Sequence, residues 1–222
     1  MRVDGPAVAD LQRLFMATWA HEKGAPLPER FYFPPLAPAG TRTVRVIGSV
    51  PSQDLPLYYR ALLRAIHAAH RSIGLSTGYF VPTHQAREEL ADAARRGVAV
   101  RLVLPTASDS PGALAMGRAA YGDLLEAGVR IYEVQDAVLH SKLVEVDGMW
   151  SVIGSSNFDR RSVLFNNEVD AVVLGRETAD AVDGVLDDDV AHAKEITLAE
   201  WRRRSLAERK AEFMARFTAW LL

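Results

Sequence analysis

Alternation of short apolar runs with helical patterns, beginning at Thr43, most constrains how this chain folds. Three runs rich in aliphatic residues, TVRVIG, SIGLST and VAVRLVLP, are separated by two stretches with apolar residues at helical spacing, 55–70 and 83–96. Strands that are apolar along nearly their whole length are typical of sheets buried on both faces. We therefore predict an α/β fold, in which a mixed β-sheet is flanked by helices on both faces.

The second half of this pattern is richer in strands. A helix is predicted from Ala113 to Ala127, ended by Gly128, and the strand VRIYEV follows it. From Val138 onward come the runs VLHSKLVEV, WSVIGS and NEVDAVVLG, separated by an Asp-Gly pair and by the FDRRS turn. These runs contain the residues with the strongest chemical character.

The chain divides into three predicted segments. Residues 1–40 are expected to form an N-terminal helix, with Phe15 and Trp19 on its apolar stripe, and a Pro-rich connector. Residues 41–195 form the predicted catalytic domain. Residues 196–222 read as a basic amphipathic helix, which would either lie on an anionic membrane surface or pack its apolar stripe on the domain or on a partner.

Composition excludes several kinds of site. The chain has no cysteine, which removes disulfides, thiolate zinc sites and cysteine nucleophiles. A formal net charge of -2 gives no overall positive field, which argues against nucleic acid as a partner. No apolar run approaches the roughly 20 residues that span a bilayer. The acidic run Asp187–Asp189, with His192, is interpreted as a solvated helix face rather than a metal site.

His140, Lys142 and Asp147 stand in the spacing H-x-K-x4-D. Residues two apart in a strand share a face, so His140 and Lys142 are predicted to project into one pocket. Imidazole acts as a nucleophile or as a general acid and base near neutral pH. A lysine beside it supplies positive charge for a phosphate oxygen in the transition state. Because a protonated lysine repels a metal ion, we predict phosphoryl chemistry with no metal and no other cofactor.

Further residues complete one wall of this predicted site. Ser155 and Asn157 are expected to bind phosphate oxygens, and Glu168 is expected to bond the far ring nitrogen of His140 and so orient it. Asp147 is predicted to be a catalytic residue because it belongs to the H-x-K-x4-D pattern. It stands five residues after Lys142, however, so strand alternation turns it to the opposite face, where it would stabilise the turn before Gly148.

This stretch resembles the HKD motif of the phospholipase D superfamily and, more narrowly, the C-terminal half of bacterial cardiolipin synthases. The segments GPAVADLQRLFMATW, FYFPP, STGYFVP, LHSKLVEVDG and GSSNFDRRSVLFNNE follow the order of that subfamily, so the resemblance covers almost the whole chain. It implies a phospholipase D-like half that transfers a phosphatidyl group, through a phosphohistidine, to an alcohol such as phosphatidylglycerol. It also implies a phospholipid substrate and a peripheral location on the bacterial cytoplasmic membrane.

The chain contains a single complete H-x-K-x4-D pattern, whereas family members carry two. One histidine cannot both attack phosphorus and protonate the leaving oxygen on its other side. We therefore expect a second HKD half, supplied either by a missing N-terminal half or by a homodimer mate. The resemblance favours the first arrangement, in which exposed Phe15 and Trp19 would face the absent half. The alternatives are a homodimeric phosphodiesterase or nuclease, and an inactive half that acts as a binding module.

Overall fold

The computed structural model describes residues 1–51, 55–135 and 137–205. Its helices are α1 Ala7–His21, α2 Leu57–Ala68, α3 His84–Arg95, α4 Pro111–Arg118, α5 Tyr121–Ala127, α6 Arg160–Leu164, α7 Arg176–Ala191 and α8 Leu198–Arg202, with a short 3-10 helix at Glu29–Phe31. Its strands are β1 Thr43–Ser49, β2 Ser72–Thr77, β3 Phe80–Val81, β4 Ala99–Pro105, β5 Arg130–Val134, β6 Lys142–Val146, β7 Trp150–Gly154, β8 Phe158–Asp159, β9 Glu168–Leu174 and β10 Ala193–Ile196.

A mixed sheet forms the centre of the molecule. Within the described ranges, eight strands pair in the order β1-β9-β7-β6-β2-β4-β5-β10. Strands β2, β4 and β5 run parallel to one another. The remaining pairings in this sheet are antiparallel. The predicted mixed sheet is thus confirmed.

Helices cover both faces of the sheet, which confirms the other part of the fold prediction. On one face, α2, α3 and α5 bury Leu62, Leu90 and Leu124 against strand residues such as Leu75. On the other face, α7 buries Val182 and Leu186 against β4 and β5. Each such fully buried aliphatic side chain stabilises the fold by about 1.5–3 kcal/mol.

The structure corrects the predicted helix over residues 113–127, which is two helices with a break at Ala119–Ala120. The reason is tertiary. Helix α4 packs on β3, where Gly117 lies so close that an added Cβ would sit 2.3 Å from the Phe80 carbonyl oxygen. Helix α5 packs instead on α3. Local apolar spacing does not report this change of direction.

The predicted strand VLHSKLVEV also starts later than the sequence pattern indicates. The run from Val138 enters the sheet only at Lys142, so His140 precedes β6 rather than lying within it. The Ser141 carbonyl still accepts a hydrogen bond from the Gly78 N–H at 3.1 Å, which holds this approach beside the end of β2.

The strand ends along one edge of the sheet, which we call the site edge, include Ser49, Thr77, Lys142, Gly154 and Glu168. The register explains why they meet. Ser49 pairs with Glu168, and Thr77 pairs with Lys142. Because β6, β7 and β9 are antiparallel neighbours, the start of one strand lies beside the end of the next.

The chain after residue 195 continues to pack on the domain. Strand β10 runs to Ile196 and pairs with β5, so the predicted domain boundary falls inside a strand. Trp201 of α8 is buried, with its ring centroid 5.0 Å from that of Tyr121. Most of the predicted amphipathic helix, residues 206–222, lies outside the described residues. None of the helices described is both long and apolar enough to cross a membrane.

Candidate active site

His140 and Lys142 lie together at the site edge. The Lys142 Nζ is 3.1 Å from His140 Nδ1 and donates to the His140 carbonyl oxygen at 2.9 Å. His140 is exposed, so its ring is open to a substrate. Burial lowers the pKa of Lys142, although the nearby carboxylates of Glu168 and Asp159 act in the opposite direction. The pair therefore presents an imidazole and a partly desolvated ammonium group to the same space.

Two residues that sequence reasoning did not select lie beside this pair. The Tyr79 ring stands edge-on to the His140 ring, with centroids 6.3 Å apart and planes at 85°. The Tyr79 hydroxyl donates to the Asp109 carboxylate, and this bond raises the pKa of Tyr79 and lowers that of Asp109. Both residues follow parallel strands, β2 and β4. Because the carboxyl ends of parallel strands lie at one edge of a sheet, the positions of Tyr79 and Asp109 after two such strands could have indicated that they lie near the site.

Glycine at position 78 lets the histidine approach the end of β2. A Cβ added to Gly78 would lie 3.1 Å from His140 Cδ2 and 3.2 Å from the Leu139 carbonyl oxygen. Both distances are tighter than ordinary van der Waals contact. The STGYFVP turn thus holds the His140 backbone in place as well as supplying Tyr79.

Glu168 lies at the site edge but is bonded to residues other than the histidine. Its carboxylate accepts from the Ser155 hydroxyl at 2.5 Å and from Asn166 Nδ2 at 3.0 Å. Among the described contacts, no hydrogen bond joins Glu168 to His140. Its predicted role in orienting the imidazole stays a prediction.

The turn after β7, residues 155–157, carries the predicted phosphate ligands. The Ser155 hydroxyl donates its proton to Glu168 and also accepts from the Val169 N–H at 2.9 Å. The Asn157 Oδ1 is buried without a hydrogen-bond partner. Such a polar atom is unusual in a native structure. The unpaired atom is an acceptor, so a phosphate oxygen would be bound by the Nδ2 donor of the same amide.

Two carboxylates close to this turn were also missed. Asp159 Oδ1 accepts from the Ser162 N–H at 2.7 Å and caps α6, and burial raises the pKa of Asp159. Asp170 binds Ser156, and burial raises the pKa of Asp170 to about 6. Asp170 stands two residues after Glu168 in β9, so strand periodicity offered a signal for it.

Asp147 lies at the opposite edge of the sheet from His140. Its carboxylate accepts backbone N–H bonds from Arg71 at 2.7 Å, from Ser72 at 3.0 Å and from His70 at 2.9 Å. Burial on its own would raise the pKa of Asp147, but these bonds outweigh burial and lower it. The residue ties the turn after β6 to the start of β2, and the structure does not bring it to the imidazole.

The other histidines do not supply a second motif. His21 and His192 are each followed, two residues later, by a lysine, but Pro28 and Ala199 stand where the aspartate is required. Among the described residues, no contact joins His140 to another histidine. The site edge thus carries one imidazole with its lysine and one polar turn.

Comparison with known families decides the relationship. A family model described as "Cardiolipin synthase, PLD-like domain" matches residues 62–190, which include every residue from His140 to Glu168. The chain belongs to this family. The resemblance predicted from the motifs is confirmed.

Two relatives in this family match along the whole chain. Cardiolipin synthase A of Proteus mirabilis (strain HI4320) is 33% identical over 225 residues, and that of Serratia proteamaculans (strain 568) is 33% identical over 224 residues. Each match covers 100% of this chain but 46% of the relative. The chain therefore spans just under half the length of these relatives.

Solved structures show the same fold. Nuc from Salmonella typhimurium, a phospholipase D family member, superposes with a TM-score of 0.60 at 21% identity and covers 71% of this chain and 99% of its own. The phosphatidylserine synthase of Haemophilus influenzae Rd KW20 gives a TM-score of 0.61 at 13% identity, covering 82% of this chain and 46% of its own.

Proposed function

We propose that this chain is the C-terminal catalytic half of a phosphatidyltransferase of cardiolipin synthase type. The observation that carries the proposal is the exposed His140, with Lys142 at 3.1 Å, beside the polar turn at residues 155–157 of a chain that belongs to this family. The proposed substrate is a phospholipid diester, and the proposed acceptor is an alcohol such as phosphatidylglycerol.

The reaction runs in two displacements at phosphorus. A histidine nitrogen attacks phosphorus, a P–N bond forms, and the P–O bond to the departing alcohol breaks while a second histidine protonates that alcohol. The incoming alcohol then gives its proton to the second histidine and attacks phosphorus, and the P–N bond breaks. With phosphatidylglycerol as both donor and acceptor, the products are cardiolipin and glycerol.

His140 is assigned the proton-transfer role in the two-half enzyme, because the other half supplies the nucleophile. Lys142 stabilises the negative charge that grows on the phosphoryl oxygens. The Asn157 amide binds a phosphate oxygen. Ser155 holds Glu168, and for it to donate to phosphate as well it must release that carboxylate.

The second wall of the site comes from another HKD half. Helix α1 supports this part of the proposal, because none of its residues is buried. Phe15 and Trp19 stack at 6.2 Å on this helix and are 55% and 40% exposed. Stacked aromatic rings that stay partly exposed on a helix next to an incomplete site are typical of a protein interface.

A chimera provides the main test. This chain replaces the matched 46% of the Proteus mirabilis cardiolipin synthase A, and cardiolipin and glycerol are measured from phosphatidylglycerol vesicles. The wild-type chimera is expected to form both products. His140→Ala removes proton transfer and is expected to lower the rate by about 10²–10⁴-fold, whereas His84→Ala, an exposed histidine of α3, leaves the rate unchanged.

Assays of the isolated chain distinguish the homodimeric transferase from the nuclease alternative. Turnover of phosphatidylglycerol that rises with the square of chain concentration would assign His140 both roles in a homodimer. Cleavage of DNA without lipid transfer would support the nuclease alternative. A chimera in which the His140→Ala variant remains fully active would contradict the proposed site.

A further inference from the structure

Two acids of β9 hold the two serines of the turn that follows β7. Glu168 accepts from Ser155, and Asp170 accepts from Ser156. Glu168 and Asp170 are two residues apart, so they project from the same face of the strand. The serine pair of the Gly-Ser-Ser-Asn turn is therefore bonded side by side to a carboxylate pair one strand away.

Asp170 makes the more enclosed of these two contacts. It is 1% exposed, and its carboxylate accepts from the Ser156 hydroxyl at 2.6 Å and from the Ser156 N–H at 3.2 Å. Ser156 is buried as well. The bond pair fixes both the backbone and the side chain of Ser156, which stands between Ser155 and Asn157.

Glycine 154 provides the space for this contact. It pairs directly with Asp170 in the sheet, and a Cβ at this position would lie 2.0 Å from Asp170 Oδ1 and 2.8 Å from its Cα. The buried Asp170 carboxylate thus accounts for two features of the turn: it needs the space left by glycine at position 154, and it accepts the hydroxyl proton of Ser156.

Burial of a carboxylate without a cationic partner is unfavourable unless its hydrogen bonds compensate. Among the residues that the structure describes, Asp170 forms no ion pair with a cation. Glu168 repels its charge from the same strand, and the Tyr58 phenol faces it from α2, with the pKa of that phenol raised by burial first and then by Asp170 and Glu168. An apolar residue here would be the more stable choice for packing alone. Compared with an apolar residue, the Asp170 carboxylate adds its hydrogen bonds to Ser156.

We propose that Asp170 is the positioning residue of the phosphate-binding turn: by holding Ser156, it fixes the backbone between Ser155 and Asn157 and presents the Asn157 amide at the distance that the phosphoryl group requires. This assignment rests on the proposed function of the turn. Asp170 itself is buried beneath the turn and acts through Ser156. A displacement of about 1 Å in a ligand of the reacting group lowers the rate by about 100-fold.

Amide NMR on the intact chain tests the contact without any need for turnover. In the wild type, the N–H signals of residues 155–157 are expected to titrate with a midpoint of about 6, which is the pKa of Asp170 raised by burial. Asp170→Asn is expected to abolish this titration. Asp180→Asn, an exposed acid on α7, is the matched control and leaves it in place.

Kinetics of the chimera test the consequence. Asp170→Asn is expected to lower kcat by about 100-fold with little change in KM, because the turn acts on the reacting phosphoryl group and not on the acyl chains of the lipid. Ser156→Ala removes the hydroxyl bond alone and is expected to give an intermediate loss. Gly154→Ala displaces the carboxylate from the other side and is expected to lower kcat in the same way.

Retention of wild-type kcat and unchanged amide signals in a folded Asp170→Asn variant would overturn the assignment. If that variant does not fold, Ser156→Ala decides alone, since wild-type kcat in it would also overturn the assignment. A wild-type chimera without activity, in which the amide titration at residues 155–157 persists, would refute the proposed function and leave the Asp170 contact intact.

Discussion

Asp147 shows how residues of one motif are used at different places. It shares the H-x-K-x4-D spacing with His140 and Lys142, but strand β6 lies between them and places it at the far edge of the sheet. There it accepts backbone N–H bonds from three consecutive residues more than 70 positions earlier in the chain. The motif therefore supplies a chemical pair at the start of β6 and a structural contact just after its end.

Replacement of Asp147 by asparagine is predicted to lower the free energy of unfolding by about 2 kcal/mol at pH 7, after allowance for its partial exposure to solvent. Asparagine tolerates the positive φ of 57° at this position, so the change isolates the charge. Because folding lowers the pKa of Asp147, its contribution is present above the unfolded pKa and is lost as pH falls through the folded value.

Urea unfolding at pH 7 and at pH 3 checks this prediction. The difference between wild type and Asp147→Asn should shrink at the lower pH, because protonation of Asp147 removes the charge that the variant lacks. Asp180→Asn serves as the surface control. An equal loss at both pH values would instead indicate a packing effect.

Charged groups accompany the apolar contacts between helix α7 and the strands beneath it. Arg101 binds Asp183 at 2.8 Å and also pairs with Asp187, which is 69% exposed and lies in the predicted acidic face of this helix. Leu186 lies over Gly74, where a Cβ would be 2.6 Å from its Cδ1. Glu145 is buried in the neighbouring strand, and one of its carboxylate oxygens has no hydrogen-bond partner.

Glu145 is predicted to make stability depend on pH. Burial raises the pKa of Glu145 to about 7, so the folded protein holds this proton more tightly than the unfolded chain. The contribution to stability is therefore complete below the unfolded pKa and is lost as pH rises through about 7. The loss is at most about 3 kcal/mol, from the size of one pKa unit.

Denaturation of Glu145→Gln between pH 4.5 and 8 measures this contribution. Stability of the variant relative to wild type should increase as pH rises across that range, because the variant has no proton to lose. Asp180→Asn should run parallel to wild type. A difference that does not vary with pH would contradict the assignment.

Within the described ranges, the molecule presents one wall of a site, and the long helix α1 near it buries none of its residues. The chain covers 46% of its Proteus mirabilis relative, and its α1 exposes Phe15 and Trp19. Leu14 of the same helix lies on Gly48, one residue from the Ser49–Glu168 pair at the site edge. A second half that packs on α1 would therefore lie beside the site that it has to complete.

Substitution of Phe15 and Trp19 together by serine is predicted to lower cardiolipin formation by the chimera by at least about tenfold, since truncated aromatic anchors at an interface remove 2 kcal/mol or more. Thermal unfolding of the isolated chain should change little, because α1 buries none of its residues. Phe31→Ser, at a residue 68% exposed outside α1, is the control. Full activity of the double variant would exclude α1 from the interface.

Local pattern was sufficient for several of the elements and for the family. Apolar runs and helical spacing are properties of neighbouring residues, so strands β1, β2 and β4 and helices α2 and α3 could be predicted within a few positions. The spacing of His140, Lys142, Ser155, Asn157 and Glu168 was sufficient to predict a phosphoryl-transfer site and the phospholipase D resemblance.

Strand order and register decided the rest, because contacts between residues distant in sequence exist only once the sheet has formed. Tyr79 meets His140 across 61 positions, and Asp147 reaches Arg71 across 76. Glu168 lies within reach of the site but bonds Ser155, because β7 and β9 are neighbours. The same register buries Asp170 beneath Ser156. The sequence thus determined which chemical groups the chain carries and which kind of site they indicate. The tertiary structure determined which of these groups are in contact.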